Sequence, residues 1–220
     1  MHRYLGIFLG VQFLFWTVSG LYFSWTDIDE IHGDHYRILP PKPIAFDGLM
    51  SPQLSFSEPI VTLELRNIAS KPYYWINNTV LLDARSGQRR SGITAEEAVA
   101  VAASTIRSDF HIVKTEVIHQ VGPHHEYRDK PLPAYELTFD DPSQLKAYVS
   151  MADGKFQTVR HRSWRWFDFL WMTHTMDYKG RDDFNSLVLR FFSLMGLITV
   201  LSGFALWMVS TPLFRKRHKG

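Results

Sequence analysis

The sequence predicts an α+β domain, one helix plus an antiparallel sheet, tethered by two transmembrane helices. Three observations predict it. Between Arg3 and Asp27 lie 23 residues without a formal charge, and a second uncharged run of 24 residues extends from Phe191 to Phe214. Each is long enough to cross about 30 Å of hydrocarbon as a helix. Between them, one strongly capped helical pattern sits among short stretches of alternating apolar residues.

Composition narrows the function classes. The 220-residue chain is 45% hydrophobic and 15% aromatic, too apolar to stay disordered. Its formal charge of +2, with no basic stripe interleaved with aromatics before the last ten residues, argues against a nucleic-acid partner. The absence of cysteine excludes disulfides, thiolate metal sites, c-type haem attachment and cysteine nucleophiles. GxSxG, P-loop, GxGxxG and HExxH patterns are also absent.

The first uncharged run competes with a secretory signal peptide, for which Val18, Ser19 and Gly20 would form the cleavage site. Its length and the aromatic group Tyr22, Phe23 and Trp25 favour an uncleaved span with an interfacial anchor. Arg3 precedes this span and Arg215, Lys216, Arg217 and Lys219 follow the second, whereas the first exits into Asp27, Asp29, Glu30 and Asp34. The positive-inside bias therefore puts both termini in the cytoplasm and the central domain outside, in the periplasm for a bacterial inner membrane. Gly6 and Gly10 on one face of the first helix, with Ser193, Gly196, Val200, Gly203 and Ser210 on the second, form small-residue stripes. The expected partners are the lipid bilayer and another membrane subunit or a second copy of the chain.

The chain then reads as a transmembrane helix over residues 1–26, a proline-rich exported connector over 27–59, an α+β domain over 60–162, an interfacial aromatic segment over 163–183, a second transmembrane helix over 187–211 and a basic tail over 212–220. Pro40, Pro41, Pro43, Pro52 and Pro59 interrupt any helix in the connector. Strands are expected around Val61–Leu65, Tyr74–Ile76, Val80–Leu82, Ile112–Val121, Ala134–Asp140 and Lys146–Met151, with a last one ending near His161. Thr94 with Glu97 forms a capping box ahead of Ala95, Ala98, Val99, Ala102 and Ile106 at helical spacing. An internal echo links Pro72-Tyr73-Tyr74-Trp75-Ile76 to Pro133-Ala134-Tyr135-Glu136-Leu137, each followed by a strand and a turn glycine, Gly87 and Gly154. The domain thus divides into a reduced unit, 60–91, without a helix, and a full unit, 92–162.

The capped segment ITAEEAVAVAASTI, the strand LPAYELTF and the hairpin KAYVSMADGKFQTV resemble a PepSY domain, a helix followed by a curled antiparallel sheet. The spans are similar to those of PepSY-associated transmembrane proteins, through His2, Arg3, Ser19 and Gly20 in the first and His174, Gly196, Ser202 and Gly203 around the second. Larger members of that family have four spans and include haem-containing inner-membrane reductases of ferric siderophores. The resemblance implies a haem- or metal-binding redox subunit in iron acquisition, using an external electron donor. A membrane-anchored module that docks or inhibits a protein partner such as a protease is the alternative.

The histidines carry the candidate chemistry. His32 and His35 lie beside four acids just outside the first span, an imidazole and carboxylate mixture suited to Fe, Zn or Cu; a solvated acidic loop is the other reading. His174, in the aromatic run that includes Trp164, Trp166, Phe167, Phe169 and Trp171, is a candidate axial ligand of haem b, or a residue at the headgroup level. His2 belongs to the opposite membrane edge, about 30 Å away, and would serve a separate haem site. The topology predicts that an alkaline phosphatase fusion after Ser150 is active in a bacterial host and one at Gly220 inactive. The reverse pattern would show that the terminal basic cluster does not set orientation.

Overall fold

The computed structural model describes residues 2–39, 44–181 and 183–211, with side chains from Ile7 onward. Pro40, Pro41, Pro43, the basic tail with His218, and the His2 side chain lie outside the described residues. In order come α1 (His2–Trp25), α2 (Ile28–His32), β1 (Leu63–Ile68), β2 (Lys71–Ile76), β3 (Val80–Asp83), β4 (Arg89–Arg90), α3 (Ala95–Thr105), β5 (Ile112–Ile118), β6 (Ala134–Phe139), β7 (Lys146–Ser150), β8 (Phe156–Arg160), α4 (Arg162–Thr175) and α5 (Leu187–Ser210). The chain divides into two units, Thr26–Phe167 and Met1–Trp25 with Asp168–Gly220.

The first unit is α+β, with two four-stranded antiparallel meanders, β1-β2-β3-β4 and β5-β6-β7-β8. The Pro-x-Tyr echo falls on the second strand of each, and the two meanders repeat the same hydrogen bonds. Pro72 O accepts from Ala84 N, and Pro133 O from Met151 N. Gly87 N donates to Asp83 O, and Gly154 N to Ser150 O. Met50 N donates to Ala84 O and Ile93 N to Met151 O, while the Tyr74 hydroxyl reaches Met50 O and the Tyr135 hydroxyl Ile93 O. Met50 and Ile93 each open the segment that covers the tyrosine-bearing face of its sheet.

In the second meander that cover is α3. Thr94 Oγ1 accepts from Glu97 N and Glu97 Oε2 from Thr94 N, closing the capping box. Arg90 grips the same carboxylate at 2.7 and 2.8 Å, so Glu97 fixes both the helix start and the end of the first meander. Ala98, Val101 and Ala102 enter a core with Tyr135, Leu137, Val149 and Val159, which Tyr73, Trp75 and Leu81 of the first meander join.

In the first meander the cover is the proline-rich segment. The prolines suggested an extended connector, but Phe56 and Ile60 pack on Ile76, Val80 and Leu82, which would otherwise stand as an apolar sheet face in water. Asn77 pins it, accepting from Val61 N and Thr62 N and donating to Pro59 O.

The helical unit contains two helices, Ile7–Trp25 and Leu187–Ser210, long and apolar enough to cross a membrane. Leu14, Val18, Leu194, Leu201 and Phe204 are half-exposed or more, so apolar surface points outward around both helices. Their serines and threonines spend their protons on backbone carbonyls one turn back, as Thr17 does on Phe13 O and Thr199 on Met195 O. Among the described glycines of the small-residue stripes, one makes a close contact. Gly196 lies against the Phe13 ring, where a Cβ would come within 3.0 Å, whereas Gly10, Gly20 and Gly203 face nothing within 4 Å. The seam is an aromatic knob over a glycine, with Phe8 on Phe192 beside it, since Phe13 rather than Gly10 fills the gap.

The repeated turn makes one glycine critical. Gly154 has φ +65°, and a Cβ there would meet Ile68 at 2.8 Å. Left-handed strain of roughly 1–2 kcal/mol and overpacking of about 1–3 kcal/mol predict that Gly154→Ala destabilises the α+β unit by about 2–4 kcal/mol. Gly122→Ala, in open space, should cost under about 0.5 kcal/mol. Pulse proteolysis of the full chain across a urea series measures both.

Candidate functional site

His174 is the best-defined of the candidate ligands. It sits in the last turn of α4, where its Nδ1 lies 2.7 Å from the Ser19 hydroxyl of α1 and its carbonyl accepts from Trp16 Nε1 at 2.8 Å. Phe23 packs on the imidazole at 5.5 Å and on Trp171 at 5.7 Å. The Ser19 hydroxyl also lies 2.7 Å from Phe15 O and 3.2 Å from Trp16 O. Carbonyls only accept, so the single hydroxyl proton goes to them and the serine oxygen accepts from Nδ1–H. That fixes the Nδ1–H tautomer and leaves Nε2 with its lone pair.

The aromatic run around His174 divides. Trp164 is buried in the α+β unit, with the Arg160 guanidinium 4.0 Å above its ring and Arg128 at 5.8 Å. Trp171 packs on Phe23 and Phe184 in the helical unit. The two tryptophans lie seven residues apart on α4, one in each unit.

His32 and His35 are separated by Gly33, which caps α2 in the left-handed region at φ +82°. His32 ends α2 and is exposed; His35 lies in the 3₁₀ turn Asp34–Tyr36, its ring on Tyr36 at 4.0 Å. Its ring also meets a histidine just after β8 that no sequence motif marks. His161, 2% exposed, stands edge-on to His35 at 5.4 Å and contacts Tyr36 at 5.2 Å, with Nε2 3.2 Å from Ile31 O. Tyr36 continues to Ser143 through its hydroxyl. Among the described residues no three His, Asp or Glu side chains gather in a way that would hold a metal ion. The His2 side chain lies outside the described residues.

A polar cluster that sequence reading did not find lies on the outer face of the second meander. The Tyr148 hydroxyl, fully buried, donates to the carboxylates of Glu126 at 2.7 Å and Glu136 at 2.9 Å. Burial and the two carboxylates push its phenol well above the ordinary value. Arg165 grips Glu126 at 2.6 and 3.1 Å, and Lys146 reaches Glu136 at 2.6 Å. Burial alone would raise the Glu126 carboxyl, but Arg165 and Tyr148 outweigh it and hold it below its usual range. The group ties the loop after β5 to the sheet, and its buried hydroxyl is closed to substrate.

No protein-family model, curated protein or solved structure matches the chain. Its chemistry has to be read from its own residues.

His161 gives a pH dependence. Burial pushes its imidazole below the ordinary value, and His35 and Arg165 add to that, against the backbone hydrogen bond to Ile31. Near pH 7.5 both folded and unfolded states are neutral there. As pH falls through about 6.5 the unfolded chain takes a proton that the folded state resists, so stability is lost towards pH 5. His161→Gln should shrink that loss; an unchanged decline between pH 7.5 and 5, followed by pulse proteolysis, would assign it to other groups.

Proposed function

We propose that this chain is a membrane-anchored, PepSY-like subunit that holds haem b through His174 and serves electron transfer in iron acquisition, with its α+β unit outside the cytoplasmic membrane. The Ser19–His174 hydrogen bond carries the proposal. An axial imidazole needs an unprotonated Nε2 and a partner that orients the ring through Nδ1, and Ser19 is such a partner within an apolar helix. Phe23 and Trp171 supply the apolar flank that keeps water from a porphyrin. His174 is the imidazole so held among the described residues, and any further protein ligand to a bound haem would come from a second copy or another subunit. When bound, haem supplies one-electron chemistry; this chain holds it, orients the imidazole and excludes water, and the electron donor lies elsewhere. The PepSY-like assignment is supported by the order of α3 followed by the antiparallel meander β5–β8.

Edge strands β1 and β5, which expose Leu63, Leu65, Val113 and Val117, favour a second reading as a module that docks a protein partner.

A visible spectrum of the purified protein, oxidised and dithionite-reduced, separates the two. The haem reading expects a reduced b-type band that His174→Ala abolishes or shifts. Ser19→Ala should retain haem with an altered spectrum, because the ring loses its orienting partner. His119→Ala, at an exposed histidine, should change nothing. Wild-type protein expressed with ample haem and showing no Soret absorption would leave the docking module as the better reading.

A further inference from the structure

A cleft of about 640 Å³ opens in the α+β unit between β1, the last turn of α3 and the β7–β8 turn. Its volume lies within the roughly 300–1,000 Å³ typical of small-molecule sites. The segment after α2 forms its rim. Arg37 bridges to Ile106, Ile38 N donates to Thr105 O, and Arg107 N donates to Tyr36 O, so residues 36–38 are fixed beside the end of α3.

Among the described residues, every charged side chain lining this cleft is a cation: Arg37, Arg66 and Lys155. Three carboxylates stand behind them without lining it. Asp34 lies 3.6 Å from Arg37, and Glu64 and Asp153 lie 2.7 and 3.3 Å from Arg66. Arg66 is thereby neutralised and held in place. Among the described residues the Arg37 guanidinium has that long contact with Asp34 and a place over the Phe156 ring, and no ion pair reaches the Lys155 ammonium. The Nε atoms of Arg37 and Arg66 and Oδ1 of Asn67 are buried without a hydrogen-bond partner, so the wall holds unused polar capacity. The remaining lining is apolar. Ile38, Ile44 and Leu65 expose 38 to 50% of their surface around the mouth, and Val101 and Phe156 continue inward. Exposed aliphatic groups clustered at one cleft, rather than scattered, mark a place where apolar surface is covered by something else.

We propose that this cleft binds an amphiphilic anion, a carboxylate or phosphate ester joined to an apolar body. Arg37 and Lys155 hold the anionic oxygens, with Arg66 fixed between Glu64 and Asp153 as the rigid part of the wall. Ile38, Ile44 and Leu65 cover the apolar body. A neutral apolar molecule would leave Lys155 without a counter-charge and Arg37 with its long contact to Asp34 alone, and a bare inorganic anion would leave the aliphatic rim exposed. The site does not involve His174 and stands whether or not the chain holds haem.

The test uses the full chain in phosphatidylcholine nanodiscs, with 8-anilinonaphthalene-1-sulfonate as the fluorescent anionic probe and empty nanodiscs as the blank. Saturable fluorescence above the blank is expected, displaced by octanoate at least about tenfold more effectively than by octanol or by inorganic phosphate, the factor that a charge-assisted hydrogen bond commands. Arg37→Gln and Lys155→Gln should each weaken the probe about tenfold on the same basis. Lys114→Gln, at an exposed lysine on β5, should have no effect. Ser104→Trp, which fills the cleft, should abolish binding. Lys155 and Ser104 are exposed, so their variants stay informative if Arg37→Gln fails to fold by circular dichroism. Octanol matching octanoate, phosphate alone displacing as well as octanoate, no signal above empty nanodiscs, or binding untouched by Lys155→Gln and Ser104→Trp would each overturn the proposal.

Discussion

Two four-stranded meanders present four faces, and each must be covered or polar; that constraint organises the α+β unit. One helix cannot meet it. The buried side chains of α3 are Ala98, Val101 and Ala102, enough to cover one face of β5–β8. The first meander turns Tyr73, Trp75 and Leu81 into the same core, and its other face is covered by the proline-rich segment through Phe56 and Ile60. The arrangement depends on the Arg90–Glu97 pair, because the carboxylate that caps α3 also holds the last strand of the first meander. Where α3 ends at Thr105 the cover stops, and the cleft lined by Val101, Ser104 and Thr105 opens there.

The helical unit presents a different surface, with two helices long and apolar enough to cross a membrane. Around α1 and α5 the outward side chains are apolar, so any hydroxyl must find its partner within the helices. Most do so on the preceding turn. Ser19 differs in having a second partner, the His174 ring, and its single proton decides which ring nitrogen carries hydrogen. A histidine so held has a defined tautomer, which a freely rotating imidazole at a headgroup surface lacks.

Much of the fold was legible because its signals are local. The capping box needs only Thr94 and Glu97, three residues apart, and the turn glycines Gly87 and Gly154 adopt the positive φ that marks them. The short strand β4 was missed because two arginines carry no alternation. The sites were less legible. Ser19 and His174 meet across 155 residues and His161 and Ile31 across 130, and neither pair leaves a periodic trace in the sequence. The acids around His32 and His35 suggested a metal centre, but Gly33 breaks the helix between them and His35 turns to Tyr36 and His161. The prolines were read as a spacer because their cost to a helix is visible in sequence, whereas the sheet face they cover is set by residues twenty positions later.

The repeat also explains why the two meanders use equivalent positions differently. In the shared register Trp75 pairs with Leu81, and the matching pair is Glu136 with Tyr148. Trp75 and Leu81 face the common core, while Glu136 and Tyr148 face outward, because the two sheets meet that core with opposite faces. An outward pair on the second sheet would be wet but for the loop between β5 and β6, which replaces the two-residue turn Ala69-Ser70 of the first meander. Tyr127 from that loop stacks on Tyr148 at 4.7 Å, and Glu126 takes the Tyr148 hydroxyl. Polar residues at the Trp75 and Leu81 positions are thus what docks the longer loop, and Lys146 and Arg165 offset the charge of the two glutamates that do it. The same hydrogen-bonded frame therefore supports an apolar pair where sheet meets core and a charged network where sheet meets loop.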